Sequence, residues 1–253
     1  MSSVTQRISQ VKQPYGGYIR PSMFKKVSFD DGITLNAEEN IHSSIVGLAV
    51  DYLTRFMVSG NILKSFEISI RGAAIAGEAE TAGALLGRVS GVDSDSVVSA
   101  CKLAAFDVWY RDYMYPLTHG GTAEMNPDSD TISNIQTMVE RSRMFVEEYG
   151  PVLEYGFTFE PDGYTLTVDA GDGDFLTADT LWDFKVSKNK PTSKQTLQLL
   201  MYWIMGQHSG QEIFEGITRL GIFNPRLNAM YTLDMQEVPE EVIRAVEDEV
   251  ICY

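Results

Sequence analysis

From residue 36 onward apolar positions recur at helical spacing. Ile41, Ile45, Leu48, Tyr52 and Phe56 form one stripe, widened by Val46, Ala49 and Leu53, which predicts a largely buried helix from Asn36 to about Val58. Asn36 is placed to cap it, and Glu38 and Glu39 fall in the first turn, where the helix dipole favours acids. An alanine-rich stretch predicts a second helix from about Leu63 to Val89, weakened by glycines at 72, 77 and 83. A third runs from Ser94 to about Tyr113, and a fourth from Asp128 or Ser129 to near Gly150, with a Gly-, Thr- and Pro-rich loop at 116–127 between them. Residues 1–35 carry no sustained period and read as irregular or weakly extended.

The period changes at Pro151. Tyr155–Phe159 and Tyr164–Val168 read as strands joined by Glu160-Pro161-Asp162-Gly163. A hairpin ending in the strand Thr180–Val186 follows. Thr192 or Ser193 then caps a helix to about Gln207, Ile217–Phe223 and Asn228–Leu233 are strands, and Pro239 opens a terminal helix to about Val250. The order is helices, then β-β-β-α-β-β-α. This is an α+β fold, a small mixed sheet flanked by helices with a large helical N-terminal half. We read one domain, 1–253, with a mainly helical half at 1–150 and the sheet-bearing core at 151–253.

The chain has 253 residues and net charge −15. That balance counts against a protein that coats nucleic acid with a broad basic surface, but not against one local basic patch. Lys185, Lys188, Lys190 and Lys194 form such a patch, in ten residues without an acid; taken alone they are also what a solvated loop looks like. No run of about 18 apolar residues predicts a membrane span. The two cysteines, Cys101 and Cys252, make no disulfide framework, so a reducing cytoplasm is the expected setting. Cys101, mid-helix among apolar neighbours, reads as core.

The chemistry concentrates at the hairpin. In Thr180–Val186 alternation puts Leu181, Asp183 and Lys185 on one face and sends Trp182, Phe184 and Val186 to the other, expected to enter the core. A connection of four or five residues around Thr177–Thr180 would bring Asp174 across from Asp183. Two adjacent carboxylates repel unless a cation lies between them, and a divalent ion is the usual solution. Asp169 and Asp172 are further carboxylates nearby. On the next helix Gln195, Gln198 and Tyr202 share one face, as site residues or as satisfied polar groups of the core. The nucleotide-binding glycine patterns and the Gly-x-Ser-x-Gly of serine hydrolases are missing from the chain.

Gly171-Asp172-Gly173-Asp174, then Asp183-Phe184-Lys185, then Gln198 to Tyr202 resemble, in order and spacing, the G-x-x-D, [D/E]-x-K and Q-x-x-x-Y pattern of the PD-(D/E)xK nuclease superfamily, in its RecB-like branch. The resemblance covers about residues 155–225. It implies an α-β-β-β-α-β core and a Mg²⁺- or Mn²⁺-dependent nuclease, with DNA the favoured substrate. It implies that Asp174 and Asp183 hold the metal with the Phe184 carbonyl, that Lys185 orients the attacking hydroxide or steadies the phosphate, and that Gln198 and Tyr202 position the strand or Lys185. Lys188, Lys190 and Lys194 would take flanking phosphates. The branch often adds an upstream histidine ligand. Of His42, His119 and His208, His42 is the candidate, although the expected preceding glycine is missing and a structural histidine fits as well. The alternative is a catalytically silent member of the fold that binds nucleic acid or, given the acidic surface and the large helical half, a protein.

Overall fold

The computed structural model describes residues 2–111 and 125–253. The fold is mixed α+β, and the chain divides into two compact units, residues 30–146 and residues 1–29 with 147–253. The first 29 residues, irregular by their sequence pattern, belong to the sheet-bearing unit. They form helix α1 (Val4–Gln10), capped reciprocally by Ser3 and Gln6, and strand β1 (Lys25–Ser28).

The described residues of 30–146 form mainly helices. Helix α2 (Ser43–Ser59) starts seven residues later than its stripe suggested. Asn36 and Asn40 are engaged elsewhere: the Asn36 N–H donates to Asn134 Oδ1 at 2.8 Å and the Asn40 N–H to Thr131 Oγ1 at 3.1 Å. The helix predicted over 63–89 is three, α3 (Ile62–Ser65), α4 (Glu67–Ala76) and α5 (Ala79–Leu86), with α4 stopped by Gly77 at φ +76°. The third predicted helix likewise divides into α6 (Ser94–Ala104) and α7 (Asp107–Arg111), while α8 (Ser129–Tyr149) holds nearly as expected. Cys101 is fully buried, and burial pushes its thiol up to about 12.

The other unit is built on a six-stranded sheet. Its remaining strands are β2 (Glu154–Tyr155), β3 (Phe175–Leu176), β4 (Thr180–Phe184), β5 (Arg219–Asn224) and β6 (Ala229–Asp234), in the order β1-β6-β5-β4-β3-β2. Only β4 and β5 are parallel, so α9 (Ser193–His208) is the crossover between them. Helix α10 (Glu240–Ala245) continues into a π-helical turn, Val246–Ile251. The strand predicted at 164–168 does not form. The Thr165 hydroxyl accepts the N–H groups of Thr167 and Val168, at 3.2 and 3.1 Å, and the Thr165 N–H closes on the Val168 carbonyl at 2.9 Å, a side-chain-directed turn in place of a ladder.

The main core of this unit lies between the sheet and α9. Leu181, Leu220, Ile222 and Leu233 meet Leu197, Leu200, Met201 and Ile204 there, all buried. This is the face of β4 that carries Asp183, so the expected sidedness is reversed. Trp182 and Phe184 point to the opposite face. Trp182 stacks on Phe175 at 6.1 Å and covers Gly221, where a Cβ would stand 2.3 Å from the indole. Phe184 packs on Phe223 at 6.0 Å.

Candidate active site

The site is at the carboxyl end of β4, beside the parallel neighbour β5, where α/β sheets open a crevice. The bend that leads into β3 depends on two glycines. Gly171 has φ +152°, and a Cβ on Gly173 would lie 1.8 Å from the Phe157 ring, so both positions exclude a side chain. Beyond the bend, Phe175 pairs with Trp182 and Leu176 with Leu181. Extending that register by one residue sets Asp174 opposite Asp183. The connection is tighter than expected: the Thr177 N–H donates to the Thr180 carbonyl at 3.0 Å, leaving a loop of Ala178 and Asp179.

Asp183 is 2% exposed. Its Oδ1 accepts from Lys185 Nζ at 2.6 Å, and its Oδ2 is buried without a hydrogen-bond partner. Burial raises its carboxyl to about 6; the Lys185 ammonium opposes this and the Asp174 charge adds to it. Asp174 is half-buried and its Oδ2 accepts the Phe184 N–H at 2.6 Å. That bond fixes its carboxyl beside the strand that carries Asp183.

Helix α9 supplies the other wall. Gln198 Nε2 donates to the Tyr202 hydroxyl at 2.9 Å, and Tyr202 is 4% exposed. Its phenol is raised, first by burial and then by the charges of Asp174, Asp183 and Asp172, against the Gln198 hydrogen bond. Tyr202 therefore stands as a neutral hydroxyl in the field of three carboxylates. Gln195, which shares the predicted polar face, is committed elsewhere: its Oε1 accepts the Thr192 N–H at 2.8 Å and closes the helix cap. Lys188 and Lys190 are exposed on the connector after β4, and Lys194 on the first turn of α9.

His42 and His208 have hydrogen-bond partners of their own. His42 belongs to the helical unit and is exposed rather than buried. It is the N-cap of α2, its Nδ1 accepting the Ser44 N–H at 3.3 Å. His208 contacts Glu247 at 2.8 Å and stacks on Tyr253, and His119 lies outside the described residues. Among the described residues no three His, Cys, Asp or Glu side chains form a group able to hold a metal ion. One residue escaped the sequence reading. Tyr231 pairs with Ile222, which pairs with Asp183, on the core face of the sheet, and its hydroxyl is buried without a partner. Its strand pattern gave no sign of this, because a tyrosine at an alternating inward position reads as core.

Among the described residues no helix is long and apolar enough to cross a membrane. Comparison with family models, curated proteins and solved structures finds no match to this chain.

Proposed function

We propose that this protein is a divalent-metal-dependent phosphodiester hydrolase acting on nucleic acid, with DNA the favoured substrate. One observation carries the reading: a buried aspartate with one oxygen on a lysine and the other bare, beside a second carboxylate. A buried carboxylate beside a half-buried one is costly without a cation, which makes the pair a receptor for one. Two carboxylates without a third protein ligand suit Mg²⁺ or Mn²⁺, which keep several waters and leave positions for phosphate oxygens. When bound, such an ion supplies Lewis acidity to the phosphoryl group and activates water.

The residues of the chain take distinct parts. Asp174 and Asp183 would hold the ion. Lys185, on the adjoining position of the same face, presents an ammonium to the phosphate. Gln198 fixes the Tyr202 hydroxyl, which burial keeps protonated and so able to donate to a phosphate oxygen. Lys188, Lys190 and Lys194 take neighbouring phosphates. His42 has an observed role as a helix cap, and the reading does not use it.

The Lys185–Asp183 ion pair also satisfies one carboxylate oxygen without any metal, which favours the second reading, a binding protein without turnover. Calorimetry with Mn²⁺ and a cleavage assay over single- and double-stranded DNA and RNA separate the two. The hydrolase reading expects Mn²⁺ binding that is lost in Asp174→Ala and Asp183→Ala, and cleavage that depends on the ion. Metal binding with no cleavage of any substrate hands the case to the second reading.

A further inference from the structure

The charges of this acidic chain are segregated. Residues 1–29 contain Arg7, Lys12, Arg20, Lys25 and Lys26 and no acid, and residues 184–211 contain Lys185, Lys188, Lys190 and Lys194 and no acid. The fold packs these two acid-free segments together. Thr196 Oγ1 on α9 donates to the Ile19 carbonyl at 2.6 Å, and a Cβ on Gly17 would stand 2.7 Å from Ser193 Cβ. Arg7 donates to the carbonyls of Val250 and Glu249, Lys25 pairs with Glu237 and Lys185 with Asp183. Lys12, Arg20, Lys188, Lys190 and Lys194 are exposed.

Among these cations stands an aromatic ring. The Gly17 N–H donates to the Pro14 carbonyl at 2.9 Å, closing a turn with Gly16 at φ +87°. Tyr15 occupies the tip of that turn and is 99% exposed. Arg20 folds back onto the turn, its Nε 3.2 Å from where a Gly16 Cβ would be. The ring is thus held out on a short glycine turn anchored to the start of α9. Gln198 lies five residues further along the helix, about 7.5 Å along its axis.

We propose that this turn and the entrance of α9 form a landing for single-stranded nucleic acid. Tyr15 stacks on an unpaired base, and Lys12, Arg20 and Lys194 take phosphates. A base within a duplex offers no free face to a ring at a turn tip, so the landing selects unpaired strands. The proposal rests on the hydrolase reading only for the identity of the site it feeds.

The test is fluorescence anisotropy in EDTA, with labelled oligothymidylate, its ribo counterpart and a duplex of equal length. Wild type is expected to bind the single strands more tightly than the duplex. Tyr15→Ala should weaken single-strand binding about 5- to 100-fold and leave duplex binding unchanged, and Tyr15→Phe should retain it. Lys12→Ala and Arg20→Ala should each reduce the salt slope by about 0.7. The oligothymidylate and ribo arms show whether the sugar matters. Tyr15 is exposed, so its replacement leaves the packing intact. Unchanged single-strand affinity in Tyr15→Ala, a preference for the duplex, or no binding to any strand overturns the landing. The same proteins are assayed for cleavage with Mn²⁺. Cleavage without a Tyr15 effect removes the landing and leaves the hydrolase reading standing; the expected binding without cleavage does the reverse.

Discussion

Among the described residues each unit buries one aspartate, and to the same degree. Asp107 in the helical unit and Asp183 in the sheet unit are both 2% exposed, and burial raises both carboxyls above their ordinary range. Their surroundings differ. Asp107 accepts from Ser69 Oγ at 2.6 Å on one oxygen and from the Tyr52 hydroxyl on the other, with Arg111 Nε at 3.6 Å. Asp183 has one oxygen on Lys185, one bare, and a second carboxylate alongside. The first is a closed polar knot that ties helices together, and the second is an open valence. A raised carboxyl by itself therefore does not mark a site; the proposed site is set apart by its unmatched oxygen and like-charged neighbour.

The largest expected effect breaks the pair apart by activity. Lys185→Ala or Asp183→Ala should lower metal-dependent cleavage by about a thousandfold or more, measured in single turnover, while Asp107→Ala leaves turnover per folded molecule unchanged. Equal losses in both units would dissolve the distinction. Stability comes next, with opposite signs. Asp107→Ala leaves the Tyr52 and Ser69 hydroxyls buried without a partner and should cost about 3 kcal/mol in urea unfolding. Asp183→Asn removes a poorly matched buried charge and should gain about 1 kcal/mol at neutral pH while losing Mn²⁺ affinity.

The proton sharpens the contrast. The folded state holds a proton on Asp183 that the unfolded chain releases at lower pH, so its contribution to stability is present below the usual carboxylate range and is lost as pH rises through about 6. Mn²⁺ affinity should run the other way, rising over the same interval as the ion displaces the proton. Thermal unfolding and calorimetry across that range check both slopes, and Asp183→Asn should remove this part of the stability slope. The smallest effect is expected from Tyr202→Phe, which loses the hydrogen bond from Gln198 and the one proposed to a phosphate oxygen and should cost about 1 kcal/mol of stability and about tenfold in cleavage; unchanged cleavage would remove that hydroxyl from the proposed site.

Local signals were legible and distant ones were not. The approach of Asp174 to Asp183 follows from strand alternation and a tight turn, and the capped start of α9 from Thr192, all within a few residues, whereas Gln195, grouped by its spacing with Gln198 and Tyr202, closes that cap instead. Strand β1 was invisible because its ladder partner is β6, about two hundred residues away. Helix α1 is likewise held by remote groups, with Ser2 on the Thr167 carbonyl and Arg7 on the Val250 carbonyl. The sidedness of β4 was misread for a related reason. Both faces of that strand are apolar, and alternation alone does not say which one α9 covers. At residues 36–42 the pattern continued but the backbone N–H groups of Asn36 and Asn40 had acceptors on α8, so the helix begins at Ser43, capped by His42.

The pairing of β1 with β6 bears on how the protein is made. The helical unit is an insertion between two pieces of the other, so during synthesis all of it is translated before β2. The opening segment must wait, unpaired, until Ala229–Asp234 has emerged. Vectorial folding thus gives the helices a head start, and the half that carries Asp183 closes only after Ala229–Asp234 has been made.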